Sequence, residues 1–221
     1  PRPTRLDWLL GKITDLLGPY PEITAQRIFE ELKKVGYPGT YSPVKRLVRK
    51  LRPPKRPEPS LPTPDYGPGR MAENDWSPHT VDFTSGKRQV APVFSYVLAF
   101  STRKAFGLYE SSDHYALCDG HVAAFQRFRG LAHECKYDSQ RAVVVGWEGN
   151  QPIYNPRFLA FSTYYEFLPV ACRRRHPNDK PHVERSFWEF ERSFLNGRRF
   201  RDLDDMRNQL IEWERSVCDL R

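Results

Sequence analysis

A proline-rich stretch at residues 53–69, PPKRPEPSLPTPDYGPG, constrains the fold of this chain more than any other feature of its sequence. Proline has no backbone N–H, and its ring clashes with the preceding helical turn, so this stretch continues neither a helix nor a central strand. We predict a semi-rigid, extended linker here. The 221-residue chain is therefore divided into a small segment, residues 1–52, and a larger one that starts at residue 70.

The segment before the linker has three helical patterns. The second pattern stops at Gly36, and the third opens on Ser42, a good N-cap residue, with Pro43 in the first helical position. Two helices, a glycine-containing turn and a short third helix predict a helix-turn-helix-like domain over residues 1–52. The three patterns cover residues 6–17, 21–36 and 41–53.

Positive charge is concentrated in the same segment. The whole chain has 35 Lys and Arg against 27 Asp and Glu, a net charge of +8. Residues 1–60 hold 13 basic and 6 acidic groups, and 13 − 6 leaves +7 of that excess here. A local excess of this kind predicts binding to a polyanion, with DNA as the first candidate and an anionic membrane surface as the second. The alternative is a three-helix bundle with a solvated basic face. The predicted DNA contacts are Lys45, Arg46, Arg49, Lys50, Arg52, Lys55 and Arg56.

Beyond the linker, strand patterns alternate with helical ones. This order predicts an α/β (α+β) fold, in which helices flank a mixed sheet over residues 70–199. A last helix lies in residues 200–221. Strands are predicted at residues 72–76, 80–83, 90–100, 105–110, 133–138 and 168–173, and helices at 113–128, with Asp113 as the N-cap, and at 155–167, 182–195 and 203–217.

Three acids stand where these elements could bring them together. Asp75 lies in the first strand, Asp138 ends a later strand, and Glu184 is near the start of a late helix. Converging carboxylates raise one another's pKa unless cations neutralise them, and Mg²⁺ or Mn²⁺ prefers such oxygen ligands. Two such ions suit phosphodiester cleavage and strand transfer. The spacing alone leaves alternatives open, because Asp82 also lies in a strand-like segment and Glu184 fits an ordinary helix surface.

Several sequence blocks make the pattern more specific. Residues 66–199 resemble the DDE transposases of the IstA type, the insertion-sequence 21 family. Residues 20–53 are similar to the second DNA-binding module that precedes this core in the family. The blocks that carry the resemblance are DW at 75–76, YDSQRAVV at 137–144, NPRFLAF at 155–161, CRRRHPNDKPHVERSF at 172–187 and FRDLDDMRNQL at 200–210.

The resemblance implies a ribonuclease-H-like catalytic core. Asp75, Asp138 and Glu184 match the family's catalytic, metal-binding acids, with two Mg²⁺ (or Mn²⁺) ions expected. The implied activity is that of a transposase, which binds terminal repeats, cleaves at the element ends and joins the 3′-hydroxyl ends to target DNA. Two alternatives remain open: a catalytically silent DNA-binding scaffold or regulator of the same fold, and a hydrolytic nuclease.

The resemblance also implies partners and a location. The chain is expected to form a homo-oligomer of at least two and up to four copies and to act with an AAA+ ATPase helper of the IstB type. The expected location is the bacterial cytoplasm, at the nucleoid. The chain has no apolar run of about 18 residues, so no membrane span is expected. It begins at Pro1 without Met, so a fragment that lacks flanking regions is expected.

A second basic group precedes the third acid. Arg173, Arg174, Arg175 and Lys180 are predicted to hold DNA phosphates beside the cleft. The alternative is a solvated loop.

Overall fold

The computed structural model of the protein describes residues 5–52, 66–172 and 180–219, with side chains from Trp8 onward. These described residues form two compact units. The first contains the residues up to 52 together with Trp188–Arg199, and the second contains residues 66–172 and 180–187 together with those from Phe200 onward. The linker predicted at residues 53–69 lies mostly outside the described residues, so its structure and the domain boundaries around it stay predictions.

Three helices pack together in the first unit. The side-chain oxygen of Thr24 caps the second helix by accepting the N–H of Arg27 at 3.1 Å. The third helix begins earlier than the sequence predicts, with Thr40 rather than Ser42 as its N-cap. Leu51 is 43% exposed, since the helix ends at this residue. The helices are α1 (Arg5–Leu17), α2 (Ala25–Lys34) and α3 (Tyr41–Leu51), and their core contains Leu9, Ile13, Ile23, Ile28, Leu32, Tyr37, Val44 and Val48.

A mixed sheet is the centre of the second unit. Within the described residues, five strands follow the order β3-β2-β1-β4-β7. The first three strands form an antiparallel meander joined by short turns, whereas β4 pairs parallel to β1 and β7 parallel to β4. Parallel neighbours need long crossovers, and helices supply them here. The strands are β1 (Met71–Asp82), β2 (Arg88–Leu98), β3 (Lys104–Leu108), β4 (Glu134–Tyr137) and β7 (Leu168–Ala171).

Helices and one hairpin complete this unit. The Asp113 side chain caps the first helix after the meander by accepting the N–H of Ala116 at 2.9 Å, as the sequence predicts. Of the helices described, none has the length and apolar character needed to cross a membrane. The elements are α4 (His114–Phe128), β5 (Val144–Glu148), β6 (Gln151–Tyr154), α5 (Pro156–Tyr164), α6 (Pro181–Glu189), and α7 (Leu203–Trp213) with a π-helical continuation (Glu214–Cys218). The π-helical continuation of α6 (Phe190–Leu195) belongs to the first unit.

The structure corrects two details of the predicted strands. The segments 72–76 and 80–83, predicted as two strands with a turn between them, are one 12-residue strand, β1. It stays continuous because β2 pairs with it from Ala72↔Leu98 to Asp82↔Arg88. The hairpin β5–β6 was not predicted, although its Gly149-Asn150 turn between apolar segments is a recognised hairpin signal.

An aromatic cluster around His121 lies between α4 and the sheet. The imidazole Nδ1 donates to the Leu117 carbonyl at 2.8 Å, and Nε2 accepts the Tyr137 hydroxyl at 2.8 Å. Burial lowers the pKa of His121 to about 4, so the ring is neutral at pH 7. The hydrogen bond from Tyr137 to His121 holds the last residue of β4, which directly precedes Asp138.

Candidate active site

Parallel pairing of β1 with β4 brings the first two predicted acids together. Met71 lies opposite Glu134 and Glu73 opposite Lys136. Continuing this register by two residues sets Asp138, which follows the end of β4, beside Asp75. Paired residues of neighbouring strands share a face of the sheet, and side chains two residues apart in a strand do so as well. Asp75 and Asp138 each lie two residues beyond the paired Glu73 and Lys136, so both carboxylates extend from one face of the sheet.

A buried lysine bridges the two aspartates. The Lys180 ammonium Nζ lies 2.7 Å from Oδ2 of Asp75 and 3.0 Å from Oδ1 of Asp138. It also donates to the Asn74 carbonyl at 3.3 Å, and its side chain is only 6% exposed. Burial by itself lowers the pKa of Lys180, but the two carboxylates outweigh it, and the net shift of the pKa is upward. The ammonium is therefore a fixed positive charge within the site.

Glu184 lies in the first turn of α6, with its side chain exposed. Burial of its carboxyl group raises the pKa of Glu184; Lys180 lowers it, and the charges of Asp75 and Asp138 raise it again. The Glu184 carboxylate thus interacts electrostatically with both aspartates and with the lysine between them. The site therefore combines three acids and one ammonium.

Two contacts attach α6 to the sheet beside these acids. Oε2 of Glu73 accepts the backbone N–H groups of His182 at 2.8 Å and Val183 at 3.0 Å. Farther along the helix, the Ser95 and Ser186 hydroxyl oxygens lie 2.7 Å apart. Ser186 already donates to the Val183 carbonyl at 2.7 Å, so Ser95 is the donor between the two hydroxyls. Sequence reasoning missed Glu73 and Ser95, because neither shows a signal until the helix packs on the sheet.

The donor set suits a hard divalent cation. Among the described residues, no group of three or more Asp, Glu, His or Cys side chains surrounds a single metal position as it stands. Instead, the Lys180 ammonium lies between two of the acids, which shows that their oxygens converge closely enough to share a cation. Carboxylate oxygens are the ligands that Mg²⁺ and Mn²⁺ prefer.

The ammonium does not fully offset the cost of burying the Asp75 carboxylate. Burial raises the pKa of Asp75 and the charge of Asp138 adds to the rise, so that the pKa stays above its usual value despite Lys180. A carboxyl group bound to a buried ammonium would otherwise have a lowered pKa. Further positive charge at the site would therefore be stabilising.

Asp82, the alternative first acid, lies elsewhere. It ends β1, its side chain is 74% exposed, and it pairs with Arg88 at 3.5 Å. Seven residues of strand separate it from Asp75, which amounts to about 23 Å. Among the described acids, Asp75 is therefore the first-strand acid that approaches Asp138.

The predicted DNA-binding residues are placed in three different ways. Lys45, Arg46, Arg49 and Lys50 are exposed on α3. Arg52 is half-buried and donates to the carbonyls of Pro21, at 3.1 Å, and Ile23, while Lys180 lies among the acids. The remaining members, Lys55, Arg56, Arg173, Arg174 and Arg175, lie outside the described residues, and a DNA-binding role for all of these side chains stays a prediction.

Comparison with known proteins finds transposases that are similar in sequence to most of this chain. No protein-family model matches the chain. It is 31% identical over 200 residues to the transposase for insertion sequence element IS640 of Shigella sonnei, covering 88% of this chain and 61% of that one. It is also 31% identical over 198 residues to the transposase for insertion sequence element IS21 of Pseudomonas aeruginosa, covering 88% and 50%. The chain thus spans about half to three fifths of the length of these relatives.

A solved structure confirms the predicted fold class. A chain of the simian T-cell lymphotropic virus intasome, determined in complex with PP2A regulatory subunit B56 gamma, matches with a TM-score of 0.50. The match covers 84% of this chain and 63% of that one at 12% identity, so it concerns the fold alone. The mixed sheet with flanking helices is the ribonuclease-H-like arrangement.

Proposed function

Because this chain belongs by sequence with the IS21-type transposases, to which 88% of it aligns, we propose that it cuts and joins DNA as part of a transposase. It binds the terminal repeats of an insertion sequence, cleaves at the element ends and joins the 3′-hydroxyl ends to target DNA. The observation that carries this proposal is the bridge from Asp75 through Lys180 to Asp138, with Glu184 beside it.

Asp75, Asp138 and Glu184 are the residues that would hold the metal. We propose two Mg²⁺ or Mn²⁺ ions here, since the site is rich in carboxylate oxygens and short of positive charge. When bound, such ions activate an attacking oxygen and stabilise a leaving one. The three acids supply the negative charge that binds them and fix their place relative to the sheet.

Lys180 has a separate role in this proposal. Its ammonium orients the carboxylates of Asp75 and Asp138 while no divalent ion lies between them. With divalent ions held by the three acids, the Lys180 ammonium would be displaced from at least one carboxylate and would be available to a DNA phosphate in the cleft. Lys180 then serves as the phosphate contact that its position before Glu184 predicts.

DNA is held mainly by basic side chains outside the site. The exposed residues of α3, Lys45, Arg46, Arg49 and Lys50, lie on the face opposite the buried Val44 and Val48 and are free to reach phosphates. Arg173, Arg174 and Arg175 would guide DNA toward the acids. Pairing of two element ends requires at least a dimer, and we propose an AAA+ helper of the IstB type as a further partner, at the bacterial nucleoid.

Substitution of Asp138 tests the catalytic assignment. Asp138→Asn keeps the shape of the side chain but removes its charge, so Mg²⁺-dependent strand transfer on terminal-repeat DNA is expected to disappear. Asp82→Asn, on the far end of β1, is the matched control and is expected to retain full activity. Strand transfer that persists undiminished in Asp138→Asn overturns the assignment, and hydrolysed rather than joined products identify a nuclease.

A further inference from the structure

The N-terminus of α6 lacks a cap of the usual kind. The Lys180 carbonyl accepts the Glu184 N–H at 3.3 Å, which makes Lys180 the N-cap residue of this helix. N-cap positions favour Ser, Thr, Asp or Asn, whose side-chain oxygen accepts the N–H of the second or third helical residue. A lysine side chain has no acceptor, and that of Lys180 extends instead to Asp75 and Asp138.

Glu73 supplies the missing cap from another part of the chain. Its Oε2 accepts the N–H groups of His182 and Val183, which are the second and third residues of the helix. Pro181, the first, has no N–H to satisfy. The Glu73 carboxyl group is fully buried, with 0% of the residue exposed, and its negative charge lies at the positive end of the helix dipole. The cap of α6 is thus formed by a strand rather than by the helix's own N-cap side chain.

This contact joins the supports of two proposed metal ligands. Glu73 and Asp75 extend from the same face of β1, because they are two residues apart in a strand. Glu184 directly follows Val183, whose N–H Glu73 binds. One carboxylate therefore fixes the first turn of α6 to the strand segment that carries the first acid.

We propose that Glu73 is a positioning residue, which sets the place of Glu184 relative to Asp75 and leaves the Lys180 side chain free to bridge the two aspartates. This inference rests on the proposed function, in which the acids hold metal. The remainder of α6 keeps a separate attachment through Ser95 and Ser186. Loss of the Glu73 cap is therefore expected to loosen the first helical turn, including Glu184, without detaching the helix.

Two substitutions at Glu73 separate capping from charge. Only Oε2 takes part in the cap, and Oε1 has no hydrogen-bond partner among the described residues. Glutamine keeps one such oxygen, so Glu73→Gln can reproduce both hydrogen bonds, whereas Glu73→Ala cannot. Leu210→Ala, a core truncation in α7, is the control for general destabilisation.

The experiment uses the whole chain and measures Mn²⁺ binding by calorimetry and amide hydrogen exchange at His182 and Val183. In Glu73→Ala, loss of the cap is expected to weaken Mn²⁺ binding about tenfold and to accelerate exchange at both amides about tenfold. Glu73→Gln is expected to stay within about threefold of the wild type in both measurements. Leu210→Ala is expected to lower Tm while leaving both measurements unchanged.

The outcomes distinguish this inference from the proposed function. If Glu73→Ala binds Mn²⁺ as tightly as the wild type, or if Leu210→Ala weakens binding equally, the positioning role is overturned while the proposed function stands. If Glu73→Gln binds Mn²⁺ as weakly as Glu73→Ala, the positioning role is also overturned, since the negative charge of Glu73 rather than its cap of α6 would then determine Mn²⁺ binding. If the wild type itself binds no Mn²⁺, the proposed metal chemistry fails and the inference falls with it.

Discussion

The Nζ atom of Lys180 lies 2.7 Å from Oδ2 of Asp75, within a site where the lysine side chain is almost completely buried. Asp138 shares the same ammonium at 3.0 Å. A charge pair of this kind is stable only when each partner is satisfied, and removal of one partner leaves an uncompensated buried charge. Lys180 thus acts as an internal counter-ion for two of the proposed metal ligands.

Removal of this counter-ion should strengthen metal binding. In Lys180→Met, the aspartates lose the cation they share, so we expect the site to bind Mn²⁺ at least about tenfold more tightly, measured by calorimetry. Lys136→Met, which removes a positive charge from β4 without breaking the bridge, is the control and should change the affinity less. Weaker binding in Lys180→Met would contradict the prediction, because the orienting effect of the lysine would then outweigh its competition with metal.

Glu184 should be required for activity but not for folding. Because its side chain is exposed on the first turn of α6, Glu184→Gln should leave Tm unchanged. Loss of a metal ligand is expected to reduce strand transfer at least about a hundredfold. Glu191→Gln, at another exposed glutamate, is expected to keep wild-type activity. Equal activity of the two variants would identify Glu184 as an ordinary surface acid.

The basic face of α3 should determine the salt dependence of DNA binding. Each phosphate contact contributes roughly 0.9 to the slope of log K against log salt concentration, so alanine at Lys45, Arg46, Arg49 and Lys50 together should reduce the slope by up to about 4. Binding to terminal-repeat DNA at several salt concentrations measures this. Lys33→Ala with Lys34→Ala, on α2, is the control. An unchanged slope in the α3 variant would mean that this face is simply solvated.

Glu214 should make folding stability depend on pH. Its carboxylate accepts the Phe106 N–H at 2.8 Å and pairs with Arg127 at 3.1 Å, yet burial raises the pKa of Glu214 from 4.5 to about 7. Between these values the folded state binds more protons than the unfolded state. The contribution of Glu214 to the free energy of unfolding is therefore fully present below pH 4.5 and is lost as pH rises through 7. The loss amounts to roughly 3 kcal/mol.

Glu214→Gln removes this titration. Urea unfolding of variant and wild type at pH 5, 6, 7 and 8 measures the effect, and contributions from other groups, such as His121, cancel in the difference. We expect the free energy of unfolding of the variant, relative to the wild type, to rise with pH by up to about 3 kcal/mol. A difference that stays constant across this range contradicts the prediction.

Local patterns in the sequence were sufficient to predict most of the helices and strands. Asp113 as the cap of α4 and a short strand ending at Asp138, one residue beyond the observed end of β4, were predicted because caps and short apolar runs are properties of neighbouring residues. The single strand β1 was wrongly divided, since its continuity depends on pairing with β2, which is distant in sequence. The domain boundaries and the roles of the site residues stay predictions.

The sequence by itself determined the α/β class, the order of most elements and, through the resemblance, the three acids that could act together. It could not determine what lies between them. Lys180 looked like a loop residue for DNA phosphates and Glu73 like any strand acid, because charge and spacing do not show burial. Only the parallel register of β1 with β4 and the packing of α6 decided that one bridges Asp75 to Asp138 and the other caps the helix of Glu184.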